Sequence, residues 1–466
     1  MTHEIKITRS NFVFPLAFIL IVITGSLSGD VLSQIARFAA HDPGVRTGPA
    51  GAGGMLPGLT ELEKTLFGAS QEAFEEVQSV QGMIPDTEAG LGPRFNLDNC
   101  AGCHTQPAVG GASPSMNPQV EVAKKEGATN EVLFFIKKNG PVREARFKFN
   151  QDGTADGGVH ALFTITGRHD APGCSIAQPD FRTAAARDNL IFRIPSPVFG
   201  AGLIEAIDDG TILANIHANS AMKQSLGIRG RPNTTGRPNT SGNDGTITRF
   251  GWKAQNKSLE LFSGEAYNVE QGVTSDLFPQ ERDETPACRF NATPESPTHF
   301  DATNPVDIPS DVVKFAVFMR FLAPPTPAAD KASIVRGRRL FGDIGCVLCH
   351  TPTLHTGKAA IVALQDKDVN LYSDVVLHNM GPRLADDVSQ GNAAGDEFRT
   401  APLWGLGKRI FFLHDGRTKD LIEAIQAHAS QGEGRYPSSE ANQVIAQFNR
   451  LNEIDKQNIA NFLRAL

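Results

Sequence analysis

With 466 residues, 40% of them hydrophobic and 20% charged, the chain is long enough for two or three domains with substantial cores and too balanced for a disordered or fibrous protein. A net charge of −7 offers no basic surface, which excludes nucleic acid as the main partner. Phe supplies 29 aromatic residues against 2 Trp and 3 Tyr, and only six cysteines occur.

Lys6 and Arg9 precede an uncharged apolar run at 12–27, too short for a membrane span and suited to an export signal. Residues 1–29 are therefore expected to be a signal peptide, cleaved after Ser26-Leu27-Ser28 or kept as an anchor. Residues 30–59 form an extended lead-in, Gly- and Pro-rich from 41 onward. Thr60 and Glu63 make a capping box that starts a helix with Leu62, Leu66 and Phe67 on one side. A second helical stretch is expected around 72–80. Then comes Cys100-Ala101-Gly102-Cys103-His104.

Between 105 and 250 the runs at 132–136, 161–165 and 190–194 read as short strands or buried segments between Gly and Pro breaks. The small tandem repeat at 230–242 reads as exposed loop. Ser310 caps a helix over 311–323, which Pro324-Pro325-Thr326-Pro327 ends. A helix at 334–341 leads into Cys346-Val347-Leu348-Cys349-His350. A last helix, 453–466, carries Ile454, Ile459, Phe462 and Leu463 inward.

The two Cys-x-x-Cys-His pentapeptides carry the chemistry. Two thiols at this spacing reach the two vinyl groups of one haem, and the adjacent imidazole falls beneath its iron. Paired Cys-x-x-Cys units also make four-thiolate zinc sites, and single ones make redox dithiols. Neither asks for His after both pairs, and 246 positions lie between Cys100 and Cys346. The expectation is two covalent c-type haems, with His104 and His350 as iron ligands. Such attachment belongs to the periplasm, and there Cys174 and Cys288 are either a disulfide or two buried thiols. Any membrane association would rest on an uncleaved N-terminal segment.

An internal duplication is also visible. Leu66-Phe67 and Leu340-Phe341 precede the two motifs, while Phe318-Met319-Arg320-Phe321-Leu322 and Phe462-Leu463-Arg464-Ala465-Leu466 close the two halves. A helix before the haem motif packed on a closing helix is the cytochrome c plan. The expected fold is mainly α, with two cytochrome c-like domains. The first spans 60–323 with a large loop- and strand-containing insertion at about 105–250. The second spans 331–466 beyond a linker at 324–330.

These features resemble the bacterial di-haem cytochrome c peroxidase superfamily, and within it the di-haem oxidoreductase family. The most specific matches are Cys103-His104-Thr105-Gln106-Pro107-Ala108-Val109-Gly110-Gly111, Phe250-Gly251-Trp252-Lys253-Ala254 and Thr400-Ala401-Pro402-Leu403-Trp404-Gly405. The resemblance implies one haem that reacts with peroxide and one that relays electrons. In the peroxidases a distal Met stands 14 residues after a His-Asp-Gly. Counting 14 from His414-Asp415-Gly416 gives His428, which is expected to ligate the second iron, with Met380 as its rival. Trp252 matches a Trp lying between the haems. Glu270, 18 residues later in Asn268-Val269-Glu270-Gln271, matches a distal carboxylate, although Gln replaces the family's Met and the spacing is one residue shorter. Glu205 is the alternative carboxylate. For the sixth position on the first haem, Met116, His160 and an open site are all expected candidates. Calcium between the domains is implied too, but Arg409 and Phe411 stand where its Thr and Pro neighbours would be.

The resulting expectation is a periplasmic, peroxidase-like di-haem oxidoreductase using peroxide or another small oxidant and a periplasmic electron donor or acceptor protein. The alternatives are a non-catalytic di-haem electron carrier and an oxidase of a protein or thiol partner.

Overall fold

The computed structural model describes residues 39–234, 246–283 and 285–466. The expected signal peptide and most of the tandem repeat lie outside them. Among the described residues no helix is long and apolar enough to cross a membrane.

Helix α1 (Glu61–Glu75) begins at the expected capping box, with both of its reciprocal hydrogen bonds formed. It buries Phe67, Ser70, Ala73 and Phe74, while Leu62 in the first turn faces solvent. No second helix follows. The backbone turns extended at Glu76, and Val77–Ser79 pairs in parallel with Thr87–Ala89. The run at 132–136 buries Leu133, Phe135 and Ile136, exposes Phe134 and forms no strand, whereas Leu190–Arg193 is a strand.

Helix α2 (Leu259–Ala266) packs on α3 (Asp311–Phe321), which also packs on α1. In the second half α4 (Ala332–Asp343) packs on the closing helix α6 (Glu453–Leu463), with the short α5 (Leu421–Ala427) between them in the chain. Rings mark both crossings. Phe67 meets Phe318 at 5.5 Å and Phe341 meets Phe462 at 5.4 Å. Burying each such ring contributes about 1.5–3 kcal/mol. The α4–α6 crossing also needs Gly337, since a Cβ there would fall 1.9 Å from the Asn458 carbonyl oxygen. Ile454, expected inward, is exposed on α6.

The fold is not mainly α. Helix accounts for 30% and strand for 13% of the described residues. The strands are short and scattered through both halves. They include four two-stranded ladders and one three-stranded sheet, in which β1 (Glu144–Phe147) lies between β2 (Val159–His160) and β3 (Leu190–Arg193). The physical reason is the 45 Gly and 29 Pro, which cut the chain between helices into segments that can satisfy their backbone only by brief pairing. Strands also occur outside the expected insertion, at Leu354–His355 with Asp368–Val369 and at Leu377–Asn379 with Glu397–Arg399.

Three main cores form. One surrounds α1 and α3 and takes in Leu354, Leu371, Val376 and Trp404 from the second half. Another fills the region from Val80 to Phe181 and is bonded through the Cys174–Cys288 disulfide. The third surrounds α4 and α6. The proline run is packed: a Cβ on Gly200 would meet Pro324 at 3.2 Å, and one on Gly405 would meet Pro325 at 3.0 Å. The lead-in crosses both halves as a strap. Leu56 donates to Phe321 O and Arg46 to Gly407 O, and Asp42 forms a buried ion pair with Arg464.

Candidate functional site

Each pentapeptide opens into its own cavity. The first, about 980 Å³, is lined by Cys100, Cys103 and His104. The second, about 1490 Å³, is lined by Cys346, Cys349 and His350. All four cysteines are free, and burial pushes their thiols up, Cys346 to about 12. Because the pairs line separate cavities, they cannot share a four-thiolate metal.

The same framework holds both histidines. In the first half Val198 N donates to Gly110 O, and the next carbonyl, Gly111, accepts from His104 Nδ1 at 3.2 Å. In the second, Leu403 N donates to Leu371 O, and Tyr372 O accepts from His350 Nδ1 at 3.1 Å. A carbonyl can only accept, so Nδ1 carries the proton and Nε2 keeps its lone pair for a metal. Burial lowers both histidines to about 4, so they are neutral. The repeat continues in Phe199-Gly200-Ala201-Gly202 and Trp404-Gly405-Leu406-Gly407. Gly200 N donates to Leu322 O and Gly405 N to Leu466 O, both at 3.0 Å. A Cβ on Gly202 or Gly407 would fall 2.2 Å from the carbonyl of Arg320 or Arg464 respectively. That paired aromatic-Gly-x-Gly signal is present in the sequence and extends the duplication.

His428 caps the end of α5 and lines the second cavity. Its Nδ1 donates to Ala424 O at 2.8 Å, freeing Nε2, and burial lowers its pKa. Its ring centroid lies 6.5 Å from that of His350. Two metal–imidazole bonds of about 2.0–2.1 Å, with a further ~1.1 Å to each ring centre, require roughly 6.3 Å. Iron between these two rings therefore fits. Met380 lines the same cavity. Much of the surrounding wall is apolar, with Leu403, Leu406, Phe412, Val444 and Ile445.

The first cavity has a polar wall. Glu270 reaches it because α2 widens into a π-type turn at Tyr267–Gln271, a feature common at functional sites. Burial, reinforced by Glu144, pushes the Glu270 carboxyl up to about 8. Gln271 Nε2 contacts Cys100 Sγ at 3.2 Å. The β1–β3 ladder sets Glu144 opposite Arg193, and Glu144, Arg146 and Arg193 all line the cavity. Gln255 lines it too, with its buried Oε1 lacking a partner. Sequence reasoning missed Glu144, Arg146, Arg193 and Gln255. Only Arg193 carried a signal, a charge inside the run at 190–194 that reads as a short strand or buried segment.

Trp252 lines both cavities, as do Ile194 and Pro195. Its Nε1 donates to Ile194 O at 2.9 Å, and its ring meets His414 edge-on at 6.3 Å. His414 stacks on Phe398 at 4.3 Å, and burial lowers it to about 4.

The remaining candidates lie elsewhere. Glu205 lines neither cavity; it accepts from Arg320 Nε at 2.6 Å and from Leu259 N. Met116 is exposed, and His160 stacks on Phe147 while bonding Asp156. Neither Met116 nor His160 lines the first cavity, where His104 is the one histidine among the described lining residues. The single group of close potential metal ligands among the described residues is Cys349, Asp374 and His378. Within that group His378 is held between Asp374 and Glu440.

A search of curated proteins returns no match. Among solved structures, hydrazine synthase of Kuenenia stuttgartiensis, pressurised with 20 bar xenon, is similar over 35% of this chain and 56% of its own, at 17% identity and a TM-score of 0.23. The chain thus spans little more than half of that structure. Residues 143–466 match the family model described as "Di-haem oxidoreductase, putative peroxidase". The matched span includes Trp252, Glu270, the second pentapeptide and His428, and begins after the first pentapeptide. The chain belongs to the di-haem oxidoreductase family, whose description names a putative peroxidase.

Proposed function

We propose that the chain is a periplasmic peroxidase-like enzyme with two covalent c-type haems at unlike centres. Cys100, Cys103 and His104 hold the reactive haem. Cys346, Cys349, His350 and His428 hold the relay haem. The observation that carries this reading is the contrast between the cavities: His350 faces a second imidazole, whereas His104 faces a wall of Glu270, Arg146 and Gln255.

Haem supplies a redox iron, open to a small oxidant such as peroxide where one axial position is free. Beside it, Glu270 would take a proton from the bound oxidant and return it to the departing oxygen, work that suits a carboxyl poised near 8. Arg146 and Gln255 would orient that oxidant. Trp252 spans the partition between the cavities and would carry charge across it. His350 and His428 would hold the relay iron and exclude water and oxidant from it, and two imidazoles in place of a thioether would lower its potential. The electrons would come from a periplasmic redox protein.

An electron paramagnetic resonance spectrum of the ferric protein, made in a host that matures c-type haem, tests this. One high-spin and one bis-imidazole low-spin centre are expected. His428→Ala should keep both haems attached and turn the second high-spin. Two low-spin centres that ignore cyanide and azide would sink the enzyme reading.

A further inference from the structure

Buried arginines in this protein have carboxylate partners as a rule. Arg168 pairs with Asp170, Arg193 with Asp386 and Arg464 with Asp42. Two arginines lining the second cavity break that rule. Arg399 donates only to backbone, through Nε to Gly251 O at 3.0 Å and Nη1 to Thr400 O at 3.5 Å. Arg409 donates Nη2 to Pro402 O at 2.8 Å, and its buried Nε has no partner. Among the described residues neither forms an ion pair. The one carboxylate in the cavity lining, Glu440, is already taken by His378 at 2.8 Å and by the backbone N–H groups of Arg229 and Gly230.

An unpaired buried charge is costly, and two close together cost more. Burial pulls both arginines down to about 10, and the charge of Arg399 depresses Arg409 further, so the two lie within each other's field. An anion between them removes both penalties. A guanidinium is a planar fork matched to a carboxylate, and there are two forks. Haem carries two propionate carboxylates.

We infer that Arg399 and Arg409 form the clamp that binds the haem propionates in the second cavity. The inference rests on the haem assignment of that cavity. The clamp also has a redox consequence. Fixed guanidinium charge in a dry site favours the reduced iron, which offsets part of the lowering caused by His428.

The test uses the full chain with both haems attached, verified by intact mass. Potentiometric titration then reads the midpoint potential of the low-spin haem in wild type, Arg399→Gln, Arg409→Gln and Arg409→Lys. Each glutamine variant should lower the potential, and lysine at 409 should restore most of the shift. Should a glutamine variant fail to accumulate, the other arginine's variant decides. A bis-imidazole centre whose potential ignores the glutamine substitutions overturns the clamp and leaves the function reading standing. A wild-type chain without a second haem, or with that haem high-spin, overturns both.

Discussion

The two halves share a frame and differ in what they wrap around it. Ring pairs at 5.5 and 5.4 Å, the two aromatic-Gly-x-Gly turns and a backbone carbonyl orienting each of His104 and His350 recur in both halves. The cavity linings do not. The first receives Glu144, Arg146 and Arg193 from a three-stranded sheet and Glu270 from a widened helical turn. The second receives apolar side chains, His428 and two unpaired arginines. Duplication thus reproduced the support for a proximal imidazole, and later segments set the chemistry opposite it.

The largest test of that contrast removes one centre at a time. Cys100→Ala/Cys103→Ala should cost one haem by intact mass and leave the bis-imidazole signal. Cys346→Ala/Cys349→Ala should cost one haem and abolish that signal. Equal spectra from the two double variants would erase the distinction between the halves.

Next in size, Glu270→Gln should lower peroxide turnover by about 10²–10⁴-fold with both haem spectra near wild type. A base is active when ionised, so wild-type kcat/KM should rise with pH through about 8 and then level, a step the variant lacks. Glu205→Gln, away from either cavity, should leave turnover unchanged; a loss there instead would transfer the role.

The frame itself can be split by its equivalent arginines. Arg464 meets Asp42 in a buried pair, whereas Arg320 meets Glu205 in a partly exposed one. Asp42→Asn should reduce stability to denaturant by about 3–5 kcal/mol. Glu205→Gln should lose less, about 1.5–3 kcal/mol. Burial pushes the Asp42 carboxyl up, but Arg464 and the N–H groups of Gly44 and Leu421 outweigh it and hold it below its usual range. Its contribution is therefore complete above the ordinary carboxylate range and disappears as pH falls through the depressed value. The smallest effect is expected from Met116→Ala and His160→Ala, which should leave both haem spectra unchanged.

Much of the frame was legible because it is local. The capping box at Thr60, the two pentapeptides and the α3 and α6 endings are short patterns. The count from His414 leads to His428, which lines the same cavity as His350. Apart from Glu270 the polar wall was not legible, since Glu144 and Arg193 meet only across a ladder. Nor was the share of helix, because segments rich in Gly and Pro pair only briefly, in ladders of two to four residues without a clear alternation. Leu62 and Ile454 fit the helical period yet sit in first turns and face solvent.

The strap has a consequence for biogenesis. Ala40 and His41 bond Glu453 and Gln457, and Asp42 grips Arg464 just past the last turn of α6. Residues 40–42 thus find their seat only on a formed α6, and a polypeptide without that helix leaves them without these partners.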